Sequence, residues 1–147
     1  MKNRLFFLLA STVIGIAFIG PTSAYSNAKK PLLKQIKASG NVSPLYQYST
    51  ECTIYPNKIV LQKSTGGITS LSTIKHALKG NIRELITAAS AGEITQEPGP
   101  TDGPTENDIA YNKKGEATLL KQTGSVMHTN NAPEADTLIN FLNISCE

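Results

Sequence analysis

The side chains able to do chemistry are few. The chain has two histidines, His76 and His128, and two cysteines, Cys52 and Cys146. Neither histidine stands in H-E-x-x-H or a related spacing, and neither cysteine has a second one at C-x-x-C distance, so the local sequence builds no zinc site. No metal or cofactor is expected. Serines and threonines are plentiful, yet none lies in G-x-S-x-G or S-x-x-K, which leaves no activated nucleophile to name. Carboxylates gather between residues 93 and 108, as Glu93, Glu97, Asp102, Glu106 and Asp108. Such groups do general acid and base work when their environments separate their pKa values, and a solvated loop holds them alike. The D-x-D-x-D-G calcium pattern is missing.

The cysteines take their meaning from the start of the chain. Lys2 and Arg4 precede an apolar run from Leu5 to Ile19, and Gly20-Pro21-Thr22-Ser23-Ala24 follows with small residues. This is the tripartite pattern of a secretory leader, with cleavage expected after Ala24. Ser11, Thr12 and Gly15 interrupt the run, which is shorter than the ~20 residues of a spanning helix. After cleavage no stable membrane insertion is expected, and the location is secreted or periplasmic. Both compartments are oxidising, so Cys52 and Cys146 are expected to form a disulfide. A closed loop of that length gains roughly 4 to 5 kcal/mol on chain-entropy grounds. The two N-x-S sequons, Asn41-Val42-Ser43 and Asn143-Ile144-Ser145, matter only in a eukaryotic source.

Charge says little about partners. Lys2 and Arg4 belong to the leader, so the 14 basic residues fall to twelve against 11 acidic ones. Basic residues dominate up to Gly92 and acidic ones after it, and two such halves can pair on folding. A nucleic-acid surface needs clustered cations with interleaved aromatics. The nearest approach is Lys29, Lys30, Lys34 and Lys37, and nucleic acid is not an expected partner.

The elements that must position these groups follow from periodicity. Residues 25–44 read as a flexible N-terminal lead, and residues 45–147 as a single domain. Thr50 to Tyr55, the turn Pro56-Asn57 and Ile59-Val60-Leu61 form a hairpin with Ile59 and Leu61 inward. Ser64-Thr65-Gly66-Gly67 ends its second strand, and a further strand is expected over 68–79. Asn81-Ile82-Arg83-Glu84 has the pattern of a capping box. It opens a helix to Ala91 with Ile82, Leu85, Ile86 and Ala89 on one face and Gly92 as its stop. Residues 109–111 and 117–120 make a second hairpin around Gly115, and residues 122–130 are polar connection. Asn131-Ala132-Pro133-Glu134 then opens a second helix, with Ala135, Leu138, Ile139 and Leu142 buried. The expected fold class is α+β: an antiparallel sheet of about five strands, two helices on one face and one disulfide. No repeat is strong enough to indicate duplication.

The segment 93–108 is the expected site of function. It holds Glu97, Pro98, Pro100, Thr101, Asp102 and Pro104, and loops of this length are usually functional or disordered. Its prolines lower the entropy lost on ordering. These residues favour a small exported binding protein, whose loop or sheet edge engages a protein partner, over an enzyme. An inhibitor of a secreted hydrolase is the sharpest form. The alternatives are a cell-envelope hydrolase that uses His76 or His128 with loop carboxylates, and a structural envelope subunit.

Overall fold

The structure, a computed structural model, describes residues 30–147 except 76, 77 and 79. The expected leader and His76 lie outside the described residues. The elements run β1 (Leu33–Ala38), β2 (Tyr48–Tyr55), β3 (Lys58–Thr65), β4 (Ile68–Lys75), α1 (Ile82–Ala89), β5 (Ile94–Pro98), β6 (Thr105–Tyr111), β7 (Ala117–Thr123), β8 (Val126–Asn130) and α2 (Pro133–Ser145). All eight strands join one antiparallel sheet in the order β4-β3-β2-β1-β6-β7-β8-β5. The fold is therefore α+β with one disulfide, and the sheet has eight strands where about five were expected.

Three strands account for the difference. Residues 33–38, expected within the flexible lead, form β1 in the middle of the sheet, paired with β2 on one side and β6 on the other. Its inward positions are Leu33, Gln35 and Lys37, so the apolar alternation that marks a half-buried strand stops after one residue. Residues 94–98, expected in a loop, form β5, and residues 126–130, expected as connection, form β8. Each spans five residues, and β5 ends in a proline.

The hairpins follow turn chemistry. Pro56-Asn57 joins β2 to β3, and Ile59 and Leu61 face inward opposite Ile54 and Cys52. Gly66 and Gly67, with φ of 54° and 82°, close the two-residue turn between β3 and β4. Positive φ at both central residues suits the strand twist, and glycine adopts it without steric cost. Gly115 takes a φ of 89° in the β6–β7 turn. Between those strands Asp108 pairs with Lys121 and Ile109 with Leu119, which leaves Leu120 as the extra residue of a bulge.

Both helices cover one face. Ile82, Ile86 and Ala89 of α1 and Ala135, Leu138 and Leu142 of α2 join Leu33, Cys52, Ile54, Ile59, Ala110 and Leu120 in a single core. α1 starts near Pro56 and ends where the Asn130 amide donates to the Ala89 carbonyl at 2.9 Å. α2 returns across the sheet and ends at Cys146, bonded to Cys52 with Cα atoms 5.8 Å apart. The helix starts differ from expectation. Asn81 is the N-cap of α1 but makes no side-chain capping bond, and the N-cap of α2 is Ala132 rather than Asn131. Gly92 is not left-handed; Ser90 is the C-cap of α1 and bonds back to Ile86. The sheet order is symmetrical about the β1–β6 line: β1-β2-β3 and β6-β7-β8 run outward from it, β4 and β5 take the edges, and a helix follows each half.

Candidate interaction site

The structure disperses the residues that the sequence had grouped. Glu97 and Pro98 lie on β5, while Pro100, Thr101, Asp102 and Pro104 lie in the short connection before β6. That connection is fastened at both ends. Gly99 N–H donates to the Ser125 carbonyl at 3.0 Å, and Asn41 N–H donates to the Asp102 carbonyl at 3.4 Å. A Cβ at Gly40 would strike the Asp102 carbonyl oxygen, so the connection packs directly on backbone there. The cations Lys34 and Lys37 also part company. Lys34 pairs with Glu51 on the open face, and Lys37 pairs with Glu106 beneath α2.

His128 sits on β8 opposite Gln122 and Gln96. Glu106 and Asp108 point to the helix face, and Glu97 points to the side of β5 opposite Gln96. Among the described residues, the buried His128 Nδ1 has no hydrogen-bond partner. A groove of about 390 Å³ lies between Lys30, Pro56, Arg83 and Lys113 and, among the described residues, is lined by neither histidine nor carboxylate.

Beneath the C-terminal half of α2 lies a polar cluster that sequence reasoning missed. Gln35 Nε2 donates to Asp108 Oδ1 at 3.0 Å and to Asn143 Oδ1 at 2.9 Å. Glu106 accepts from Lys37 and from Lys121, each at 3.1 Å. Burial works against ionisation of Glu106, but the hydrogen bonds and charges of Lys121 and Lys37 outweigh it and hold its pKa below the usual value. Asp108 is fully buried, and its Oδ2 has no partner. Burial pushes its pKa up to about 6, against the Gln35 hydrogen bond and with help from the Glu106 charge. The readable signal was Glu106-Asn107-Asp108-Ile109-Ala110, a period-two pattern with carboxylates in place of apolar residues. The cluster fastens α2 to the middle of the sheet.

The two edges of the sheet differ sharply. The β5 edge is five residues long, carries Glu97 and ends at Pro98, which has no N–H to offer. These are the usual devices that keep an edge from pairing. β4 has none of them. It runs eight residues in unbroken register with β3, with neither bulge, proline nor carboxylate, and its one charge is the terminal Lys75. It extends beyond the helices, so Ile68, Leu71 and Ile74 are 80%, 67% and 54% exposed. Thr65 and Ile68 flank the two-residue turn and form its hydrogen-bonded pair. Alternation along an antiparallel ladder then turns the N–H and C=O groups of Thr69, Leu71 and Thr73 outward. Beside this turn, Leu45 and Tyr46 of a short 3-10 turn are also largely exposed. Among the described residues, the edge thus combines unpaired backbone groups with exposed apolar side chains.

No family model matches the chain, and no curated protein or solved structure matches it.

Proposed function

We propose that this chain is an exported interaction protein that engages its partner by strand addition at β4. The observation that carries the proposal is the contrast between the two edges. A long edge without bulge, proline or carboxylate, left open in a fold that blunts its other edge, is a template for another strand. The Cys52–Cys146 disulfide agrees with an oxidising compartment. It also makes the platform rigid, which lowers the ordering cost of binding. Inhibition of a secreted hydrolase is a narrower form of this function, with β4 as the docking element in place of the 93–108 segment.

A photo-reactive residue at Leu71, with Thr95 of β5 as the control position, tests the proposal in cells that export the protein. Cross-linked adducts from position 71 and none from position 95 are expected. Adducts from position 95 alone, or from neither, would remove the basis for an interaction at β4.

A further inference from the structure

The residues of β4 from 68 to 74 read Ile-Thr-Ser-Leu-Ser-Thr-Ile, the same in both directions. In a two-fold interface residue i of one copy meets residue j of the other and j meets i, so the surface must complement itself. An antiparallel pairing of β4 with β4 of a second copy, centred on Leu71, sets Leu71 against Leu71, Ser70 against Ser72, Thr69 against Thr73 and Ile68 against Ile74. From this we infer that the partner at the β4 edge is a second copy of this chain, joined by a two-fold axis through Leu71. The inference rests on the interaction role given to β4 above.

The backbone agrees with this register. Thr69, Leu71 and Thr73 carry the outward N–H and C=O groups, and the centred pairing faces these three positions with one another. Leu71 would exchange both hydrogen bonds with its counterpart, and each Thr69 with the opposing Thr73. Every cross-strand pair is then of a favourable kind: aliphatic with aliphatic, threonine with threonine, serine with serine. Lys75 falls opposite Gly67, so the only charge on the edge meets no like charge. A slip of two residues keeps the backbone pattern but sets Leu71 against threonine and Ile68 against serine or beyond the strand. The palindrome thus distinguishes one register. The axis is perpendicular to the sheet, so the two sheets become one and both helix layers stay on the same side. Ile68 and Ile74 pair across the seam on the helix face, and the two Leu71 side chains meet on the open face. This gives cover to the three large apolar residues of β4.

Sedimentation equilibrium on the oxidised protein released from its leader is the test, with two variants. Leu71→Lys sets two ammonium groups against each other, and Thr73→Pro removes an outward N–H while leaving the ladder to β3. The expected result is twice the chain mass for the wild-type protein at high concentration. Each variant should have the mass of one chain and keep a cooperative melting transition. Register is read by cross-linking. Leu71→Cys should link to itself, whereas Ile68→Cys and Ile74→Cys should link only when mixed. A single-chain mass at every concentration overturns the inference, as does Ile68→Cys linking to itself. If the wild-type protein stays single while position 71 cross-links to a different protein in cells, the second copy is refuted and the strand-addition role stands. If neither occurs, both fall.

Discussion

Asp108→Asn should make this protein more stable at neutral pH, although it changes a fully buried residue at the centre of the sheet. The reason is the state of the carboxylate. An aspartate ordinarily titrates near 3.8, and burial raises Asp108 to about 6 in the folded chain. The folded state therefore binds its proton more tightly than the unfolded state does. The stabilisation from that proton is complete below the unfolded value and is lost as pH rises through the folded one. A shift of this size corresponds to about 3 kcal/mol between pH 3 and pH 7. Asparagine keeps the oxygen that accepts from Gln35 at 3.0 Å and replaces the partnerless Oδ2 by an uncharged group. The variant should therefore match the wild type near pH 3 and exceed it by about 3 kcal/mol at pH 7, or about 10 °C in Tm for a domain of this size. Urea and thermal unfolding of both oxidised proteins across that range provide the assay. An Asp108→Asn protein that is weaker than wild type at pH 7, or whose advantage does not change with pH, would refute the reasoning.

Glu106 should behave in the opposite sense. Lys121 and Lys37 hold its folded pKa below 4.5, so it stabilises above that pH and the contribution is lost as pH falls through the folded value. Glu106→Gln should lower Tm at pH 7, with the difference closing in acid. Cys52→Ser and Cys146→Ser should each cost roughly 4 to 5 kcal/mol, and the double variant should be no worse than either, since one bond joins the two; unequal losses by calorimetry would contradict this. Gly67→Ala meets no atom within 4 Å but forces φ of 82° on a residue with a Cβ, so a loss of about 1 kcal/mol in urea unfolding is expected.

The elements legible in the sequence were those whose chemistry is local. Pro56-Asn57 and Gly66-Gly67 marked turns, and Ile82/Ile86/Ala89 and Ala135/Leu138/Leu142 marked helix faces, because a few neighbouring residues decide them. β1 was hidden for a reason that lies elsewhere in the chain. Gln35 and Lys37 point inward because Asp108, Glu106 and Asn143 are there to meet them, and no local pattern reports a partner so remote. The same pairing hid the start of β6, whose inward carboxylates resembled a solvated loop. The start of α2 was misplaced for a related reason: Asn130 is committed to the Ala89 and Leu119 carbonyls and to the Ala132 N–H, and that network sets where α2 begins. For the candidate site, the chemistry of residues 68–75 was readable as a strand, but its place at the edge is a property of the sheet order.

The most direct measurement on that edge is amide hydrogen exchange along β4. In a single chain the outward N–H groups of Thr69, Leu71 and Thr73 are open to water while those of Ser70, Ser72 and Ile74 are bonded to β3, so protection should alternate from residue to residue. As another strand is added, at high protein concentration or in the presence of a partner, Thr69, Leu71 and Thr73 should become protected and the alternation should vanish, with Leu71→Lys remaining alternating. Persistently fast exchange at all three outward amides under every condition that supports association would contradict strand addition at β4.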